Sequence, residues 1–208
     1  MIKRIIFDVD NTLIMWTDKY LFALRNVLEN LMPSYTEEQL LEIDNCVVTY
    51  EHTHDIYTKE AFVTYINNKC NTKFDTNFVE KLIIAQGKCY ENDQELVSTI
   101  KYLKKKYDLV VLSNWFTDTQ KLRLQGLGIL DDFTFVSGGD ERVLKPNPIA
   151  FDIATEGYKK EECLMIGDSL EHDIIPAIKL GIPCIWITDK ASNEYRTCKD
   201  VYQLKKIL

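Results

Sequence analysis

Residues 5–13 read IIFDVDNTL, a short apolar run that stops abruptly at a pair of aspartates. A continuous apolar run of this length is typical of a β-strand that is buried on both faces. Asp8 and Asp10 are two residues apart, so extended backbone directs both side chains to the same side of the chain. Two close carboxylates repel each other unless a cation or a proton joins them, so the pair predicts a metal site or shared acid–base chemistry. Taken alone, the stretch also fits a polar turn.

The same pattern, an apolar run followed by a polar cluster, recurs four times along the chain. The runs are residues 109–112, 133–136, 164–166 and 184–187, followed by Ser113-Asn114, Ser137-Gly138-Gly139, Gly167-Asp168 and Thr188-Asp189. Between the runs, apolar residues recur at helical spacing. Strands that alternate with helices predict an α/β fold, here a three-layer, Rossmann-like parallel sheet between helices. In such sheets ligands bind beyond the carboxyl ends of the strands, which is where the polar clusters fall.

Residues 15–92 interrupt this alternation. Leucines recur there at helical spacing, as at Leu21, Leu24 and Leu28, while strand-like runs are missing. The pattern predicts an all-helical domain over residues 15–92, inserted into a core domain formed by residues 1–14 and 93–208. The inserted part is acidic, since residues 15–95 hold 7 Lys and Arg against 14 Asp and Glu.

The composition excludes several classes of protein. The chain has 208 residues, of which 46% are hydrophobic and 27% charged, as in an ordinary globular protein. A net charge of −7 argues against a nonspecific nucleic-acid-binding protein, which needs an excess of Lys and Arg. No apolar run approaches the length of about 20 residues that a membrane span needs. We therefore expect a cytoplasmic protein with a small-molecule partner and neither nucleic acid nor membrane; the sequence gives no indication of its oligomeric state.

The six cysteines are at least 14 residues apart and include no CxxC pair. The spacing therefore indicates neither a zinc site nor a redox motif, and we expect the thiols to be reduced.

Further polar residues at the strand ends suit the binding of an anion or a metal. Ser113 and Asn114 bring a hydroxyl, an amide and loop N–H groups, although both are also common helix caps. Lys145 lies in the stretch LKPNP, where prolines stiffen the backbone around a cation, although a lysine is more often simply solvated. Asp168 and Asp173 lie in GDSLEHDI, where helix capping is the alternative.

Together, in this order, these clusters resemble the motifs of the haloacid dehalogenase-like (HAD) hydrolase superfamily. The resemblance covers residues 1–14 and 93–190. It rests on DVDNT at 8–12, SN at 113–114, the stretch SGGDERVLKPNP around Lys145 and IGDSLEHDI at 166–174. One departure is Asn11, where glycine is commoner in the superfamily. In the superfamily, a domain inserted between the first and second motifs is called a C1 cap, and the helical insertion resembles such a cap in its position.

The resemblance implies the roles of the acidic residues. Asp8 would be the nucleophile that forms an aspartyl-phosphate. Asp10 would act as general acid and then as general base. Mg²⁺ would be held by Asp8, the backbone carbonyl of Asp10 and Asp168.

It also implies a phosphate site. Thr12, Ser113 and Asn114 would hold phosphoryl oxygens, and Lys145 would supply positive charge. Asp173 would support the site by orienting a metal-bound water or Lys145.

The implied function is therefore that of a Mg²⁺-dependent hydrolase of small phosphomonoesters, of the sugar phosphate or nucleoside monophosphate class. Two relatives in the superfamily are alternatives. A haloacid dehalogenase lacks the second aspartate, so Asp10 argues against it. A sugar-phosphate mutase typically has a cap histidine ten positions after the second aspartate, where this chain has Tyr20. A phosphate-binding regulatory domain is the alternative that is not an enzyme, but receiver domains of about 120 residues leave no room for the insertion.

Residues that contact the leaving group are not fixed by these motifs. The candidates are Trp16, Tyr20, Tyr50, His52, His54 and Tyr57. Trp115, directly after Asn114, is placed to border the pocket, and His172 is expected to be a solvated loop residue. Each of them also fits ordinary packing or solvent exposure. The His52–His54 pair lacks a third ligand nearby in the sequence, so a zinc site there is disfavoured.

Overall fold

The computed structural model describes residues 1–53, 58–140 and 143–208, with the side chains of 51–53 left aside. Its centre is a parallel sheet of six strands in the order β3-β2-β1-β4-β5-β6. The strands are β1 (Arg4–Phe7), β2 (Asp108–Leu112), β3 (Phe135–Ser137), β4 (Cys163–Gly167), β5 (Cys184–Ile187) and β6 (Thr197–Cys198). The predicted α/β fold with a parallel sheet is confirmed.

Alternate residues of the central strand face two different hydrophobic layers. Ile5 and Phe7 belong to a cluster that includes apolar residues of the helices α5 (Gln94–Lys104) and α6 (Thr117–Gly126). Ile6 faces the other side, with α7 (Pro148–Ala154) and α8 (Ile175–Lys179). Because both faces are covered, strands β1, β2 and β4 are largely apolar, as expected of a parallel sheet. A last short helix, α9 (Leu204–Ile207), joins the first layer.

The inserted segment is helical where the structure describes it. Its helices are α1 (Lys19–Leu31), α2 (Glu37–Thr53), α3 (Lys59–Cys70) and α4 (Thr76–Gln86). They enclose an apolar cluster of their own, in which Phe62 and Leu82 are fully buried. Trp115, Phe116 and Leu144 reach this cluster from the loops that follow β2 and β3. The insertion therefore packs over the carboxyl edge of the sheet, where the polar clusters of the sequence lie.

A partly buried ion pair joins β1 to the neighbouring strand β2. Arg4 and Asp108 are paired in register, and Nη2 of Arg4 is 2.7 Å from Oδ2 of Asp108. Burial opposes ionisation of the carboxyl group, but hydrogen bonds from Thr134 and Arg4 outweigh this effect and hold the pKa of Asp108 below its usual range. The charged form of Asp108 is therefore the form that the fold stabilises.

Two local features differ from the sequence prediction or escape it. The run at residues 133–136 is a strand only from Phe135, because Phe133 packs into the core below the sheet. Strand β6 has two residues and no apolar run, so its sequence carries no strand signal.

The sulfur atoms of Cys46 and Cys70, which are 24 residues apart, lie 2.9 Å from each other. Among the described residues, no helix is both long and apolar enough to cross a membrane.

Candidate active site

A cleft of about 390 Å³ opens at the carboxyl edge of the sheet, under the inserted helices. It brings together seven of the eight residues that the sequence predicts as the site. They are Asp8, Asp10, Ser113, Asn114, Lys145, Asp168 and Asp173. Asp8 follows β1, Ser113 and Asn114 follow β2, and Asp168 follows β4, so three strand ends and two loops supply the cleft. The exception is Thr12.

Lys145 lies between two buried carboxylates at the base of the cleft. Its Nζ atom is 2.8 Å from Oδ1 of Asp8 and 2.6 Å from Oδ1 of Asp173. All three side chains are less than a tenth exposed. An ammonium group with two carboxylate partners satisfies charge and hydrogen bonding at once, which a buried lysine requires. The structure thus places Asp173 against Lys145.

The electrostatics of the cleft indicate an excess of negative charge. Burial raises the pKa of Asp8 to about 7, although Lys145 acts in the opposite direction. Burial and the neighbouring Asp173 raise the pKa of Asp168 to about 6. The two carboxylates outweigh the effect of burial on Lys145, so the pKa of its ammonium group is raised. Lys145 alone does not balance Asp8, Asp168 and Asp173, so this group of acids keeps net negative charge to be neutralised by a proton or a metal ion.

Three acids of the cleft fit a divalent cation. Asp8, Asp168 and Asp173 each offer a carboxylate oxygen, and these oxygens lie within 4.8 Å of one another. Oxygen ligands are what Mg²⁺ prefers. Asp173 is already engaged, because its Oδ1 accepts from Lys145 and its Oδ2 from the backbone N–H of Ser169. Asp8 and Asp168 are therefore the side chains best placed to hold a metal ion.

The glycine at the end of β4 makes room for Asp173. A Cβ atom added at Gly167 would lie 2.3 Å from Oδ2 of Asp173, far inside contact distance. Asp173 itself belongs to a π-helical turn, Leu170–Ile174, that follows the strand and begins with a side-chain cap from Ser169. The sequence GDSLEHD thus builds a tight turn that returns a buried carboxylate to the strand end.

Asn114 fixes the backbone at Lys145. The amide of Asn114 donates to the carbonyl oxygen of Lys145 at 2.8 Å and accepts from its N–H at 2.8 Å. The loop that carries the ammonium group is therefore held to the end of the neighbouring strand. The sequence suggested an anion-binding amide here, and the structure shows that the side chain of Asn114 is committed to the lysine.

Thr12 does not line this cleft, although the neighbouring cleft that it lines also includes Asp168. The N–H groups of Thr12, Leu13 and Ile14 all donate to the carbonyl oxygen of Val9, which forms a tight turn after β1. Asn11 adopts a positive φ of 58° in this turn, a conformation that asparagine tolerates better than most residues. As a result, Thr12 lines a neighbouring cleft, and its buried hydroxyl has no hydrogen-bond partner among the described residues.

Three residues that the motifs do not include hold the carboxylate of Asp10. Two of the donors, Gln120 and Arg123, lie one helical turn apart on α6. The third donor is Tyr20, in the first turn of α1. Arg123 and Gln120 are fully buried. A signal was present in the sequence, because both lie at helical spacing from buried leucines, Leu124 within α6 and Leu127 directly after it. Polar residues on an apolar helix face need partners, and here the partner is Asp10.

The roof of the cleft is largely apolar. The cleft is also lined by Trp16, from the segment that enters the insertion, by Val48 of α2, and by Trp115 and His172. Tyr20 contacts Asp10, whereas Tyr50 is buried among the inserted helices. The predicted candidates His54 and Tyr57, and the side chain of His52, lie outside the described residues.

Comparison with known proteins decides the family. A model of the haloacid dehalogenase-like hydrolases matches residues 2–181. The chain belongs to this family. The predictions of the superfamily and of a hydrolytic enzyme are thereby confirmed. The match spans strands β1–β4 and the inserted helices of this haloacid dehalogenase-like hydrolase.

The similar proteins include phosphatases, and a solved dehalogenase structure shares the fold. N-Acylneuraminate-9-phosphatase from Homo sapiens is 26% identical over 211 residues, which cover 89% of this chain and 82% of that protein. Pyrimidine 5′-nucleotidase PynA from Streptococcus pneumoniae is 24% identical over 97% of this chain and 90% of that protein. The crystal structure of 2-haloacid dehalogenase from Pseudomonas syringae shares the fold, with a TM-score of 0.74 at 22% identity over 100% of this chain and 98% of that chain.

Proposed function

We propose that this hydrolase is a Mg²⁺-dependent phosphatase of small phosphomonoesters, which it cleaves through an aspartyl-phosphate on Asp8. The observation that carries the proposal is the contact of Asp8 with the buried ammonium group of Lys145, beside the carboxylate of Asp168. This arrangement combines a carboxylate nucleophile, a fixed positive charge and metal-binding oxygens in one cleft. These are the parts that phosphoryl transfer to a carboxylate requires.

Binding of the phosphate is assigned to Lys145, Ser113 and the backbone N–H of Asn114. Both acceptor sites of the Ser113 hydroxyl are filled, by the N–H of Trp115 at 3.2 Å and by the amide of Gln120 at 2.8 Å. Its O–H proton is therefore free to be donated to a phosphoryl oxygen. Thr12 is not part of the proposed phosphate site, because it lines the neighbouring cleft.

The first chemical step joins Asp8 to phosphorus. Lys145 donates to Oδ1 of Asp8, and no described donor contacts Oδ2, which is therefore the oxygen proposed to attack. As the new O–P bond forms, the bond to the leaving oxygen breaks, and Asp10 donates its proton to that oxygen. In the second step Asp10 takes a proton from a water molecule, which attacks phosphorus and releases Asp8.

The metal ion is assigned to the carboxylates of Asp8 and Asp168 and the backbone carbonyl of Asp10. When bound, Mg²⁺ neutralises the negative charge that otherwise keeps a phosphate dianion away from a carboxylate. The raised pKa values of Asp8 and Asp168 support this assignment, because the buried acids lack enough positive charge among the described residues.

The substrate class proposed is a sugar phosphate or a nucleoside monophosphate. Helices α1–α4 are taken as a C1 cap, with residues 15–92 as the cap domain and residues 1–14 and 93–208 as the core. A cleft of about 390 Å³ under such a cap suits a small ester better than a phosphoprotein. The relatives that act on N-acylneuraminate 9-phosphate and on pyrimidine nucleotides support both members of this class. Mutase activity stays an alternative to be tested with the same substrates.

Haloacid dehalogenation is the second candidate, favoured by the fold shared with a 2-haloacid dehalogenase. Against it stands the half-buried carboxylate of Asp10, which three side chains hold at the cleft. A dehalogenase that releases a halide ion has no strongly basic leaving group and so has no need of a general acid.

The decisive experiment is a phosphate-release screen over phosphorylated metabolites, with Mg²⁺ and with EDTA, and with a haloacid as the competing substrate. We expect phosphate release that depends on Mg²⁺ and that falls by at least about 10³-fold in Asp8→Asn. Asp131→Asn, at an exposed position, is the matched control and should keep full activity. Halide release from the haloacid, or full phosphatase activity in Asp8→Asn, would contradict the proposal. Appearance of an isomeric phosphate instead of free phosphate would indicate a mutase.

A further inference from the structure

Three side chains donate hydrogen bonds to the carboxylate of Asp10. Nη1 of Arg123 is 2.6 Å from Oδ1, and the hydroxyl of Tyr20 is 3.2 Å from the same oxygen. The amide nitrogen of Gln120 is 2.7 Å from Oδ2. Because a carboxylate oxygen has about two acceptor sites, Oδ1 is fully occupied and Oδ2 keeps one site.

The direction of the Gln120 amide is fixed by its other contacts. Its oxygen accepts from Nη1 of Arg123 at 2.8 Å, and its nitrogen donates to the hydroxyl of Ser113 at 2.8 Å as well as to Asp10. A flipped amide would place two donors against each other at Arg123. The amide nitrogen therefore stays on Oδ2, and Oδ2 lies on the side of Ser113, which lines the cleft.

The donors come from both parts of the chain. Gln120 and Arg123 belong to α6 in the core, whereas Tyr20 belongs to the first inserted helix. Nε of Arg123 also donates to the carbonyl oxygen of Cys89, in the segment that returns from the insertion, and its guanidinium group lies 4.7 Å from the centre of the Tyr20 ring. Trp16, which lines the cleft, stacks on that ring at 3.8 Å.

We propose that Tyr20, Gln120 and Arg123 are positioning residues that make Oδ2 the proton-carrying oxygen of Asp10, and that Tyr20 links this orientation to the position of the inserted helices. The inference rests on the proposed function, because it takes Asp10 as the general acid. Oδ2 gives its proton to the leaving oxygen as the bond from that oxygen to phosphorus breaks. The positive charge of Arg123 then stabilises the carboxylate that remains.

The leaving group of the substrate distinguishes a positioning role from a purely structural one. If these residues position Asp10 as an acid, their replacement should slow a substrate that needs a proton to leave more than one that does not. A basic alkoxide needs a proton to leave, whereas 4-nitrophenolate leaves without one. Benzyl phosphate and 4-nitrophenyl phosphate are of similar size and differ in this respect. The ratio kcat/KM covers the steps up to departure of the leaving group, so it isolates the step in which Asp10 acts as an acid.

The test compares both esters in Tyr20→Phe and Arg123→Lys. Tyr20→Phe keeps the aromatic ring and removes one donor, and Arg123→Lys keeps the charge and removes the fixed geometry. We expect kcat/KM for benzyl phosphate to fall about tenfold more than that for 4-nitrophenyl phosphate in Arg123→Lys, and about threefold more in Tyr20→Phe. Asp10→Asn should show the largest difference.

A matched control is Tyr202→Phe, which removes another tyrosine–aspartate hydrogen bond, of 2.5 Å to Asp93. It should leave the ratio of the two kcat/KM values unchanged. Equal losses for the two esters in Tyr20→Phe and Arg123→Lys, or no loss at all, would overturn the inference. If the wild-type enzyme hydrolyses neither ester, or if Asp8→Asn still hydrolyses them, the proposed function has failed instead.

A separate observation concerns two cysteines of the inserted helices. Sγ of Cys70, at the end of α3, is 2.9 Å from Sγ of Cys46, on α2. Both are free thiols, and neither residue is fully buried. The two helices already pack on each other, so a bond between the sulfur atoms needs only a small approach of the side chains.

We infer that Cys46 and Cys70 form a reversible disulfide under oxidation by a peroxide. The two thiols together lose two electrons and two protons and form one sulfur–sulfur bond. The peroxide takes up these electrons and protons; when it is hydrogen peroxide, its oxygen–oxygen bond breaks and two molecules of water form. The bond closes a loop of 25 residues and restricts the unfolded chain, so it stabilises the inserted helices. It also fixes α2, which presents Val48 to the cleft.

The test treats the protein with hydrogen peroxide and measures intact mass, the peptide map without reduction and the melting temperature. We expect the loss of two hydrogen atoms, a peptide that joins Cys46 to Cys70, and a melting temperature that rises by about 5 °C and returns on reduction with dithiothreitol. Cys46→Ser should show none of these changes, whereas Cys163→Ser, at a remote buried thiol, should behave as the wild type. Oxidation to sulfinic acid without a joined peptide, or a joined peptide of other cysteines, would overturn the inference.

Discussion

Replacing Lys145 with methionine removes the cation between Asp8 and Asp173 while keeping most of the volume of the side chain. Both carboxylates are more than nine-tenths buried, so neither regains its hydration. Removing one partner of a buried ion pair typically costs about 3–5 kcal/mol. We therefore expect the free energy of unfolding at pH 8, measured by urea titration in EDTA, to fall by about that amount in Lys145→Met. Lys81→Met, at an exposed position of α4, should change it by less than about 0.5 kcal/mol.

The loss of stability in Lys145→Met should also depend on pH, and its direction follows from the pKa of Asp8. Burial already raises the pKa of Asp8 to about 7 in the presence of Lys145, and without the ammonium group that pKa rises further. A carboxyl group with a raised pKa in the folded state costs stability above that pKa, and the cost disappears as the pH falls and the group is protonated. The difference between Lys145→Met and wild type should therefore shrink from pH 8 to pH 5. A loss below about 1 kcal/mol at pH 8, or a loss that grows toward pH 5, would refute the reasoning.

Three further predictions follow from other contacts. Protons compete with Mg²⁺ for Asp8 and Asp168, because the pKa values of these acids are about 7 and about 6. The rise in melting temperature caused by Mg²⁺ should therefore be larger at pH 8 than at pH 5.5. An equal rise at both pH values would contradict the assigned ligands. Asn114→Ala releases the backbone at Lys145, so kcat for 4-nitrophenyl phosphate should fall about 10–100-fold, and an unchanged kcat would exclude a role for this contact. Asp108→Asn should destabilise the protein at pH 7, and in urea titrations the difference should vanish as the pH falls through the lowered pKa of Asp108; a constant difference would mean that its charge is not involved.

The sequence predicts the strands and the clustering at their ends because both depend on local patterns. The apolar runs at residues 5–7, 109–112 and 164–166 are buried on both sides by helices, so they stand out from their surroundings. In a parallel sheet all the carboxyl ends lie at one edge, so polar residues that follow different strands meet there. This is why Asp8 and Lys145, 137 residues apart, could be expected in one cleft.

What the sequence does not predict depends on contacts between distant elements or on the conformation of a single turn. Thr12 follows the aspartate motif directly, yet the turn at Asn11 directs it to another cleft. The donors on Asp10 come from α1 and α6, and a polar residue on a helix carries no sign of its partner. Cys46 and Cys70 meet because α2 packs against α3, which their spacing in the sequence does not show.

The central claim is that Asp8 carries the phosphoryl group during turnover. It is tested most directly by stopping the reaction with 4-nitrophenyl phosphate during steady-state turnover and reducing the quenched protein with borohydride, which converts an acyl-phosphate of aspartate to homoserine. Mass spectrometry of the peptides should then find homoserine at position 8, in an amount that depends on substrate and on Mg²⁺. Homoserine at another aspartate, or an unmodified Asp8 in an enzyme that is actively releasing phosphate, would contradict the account.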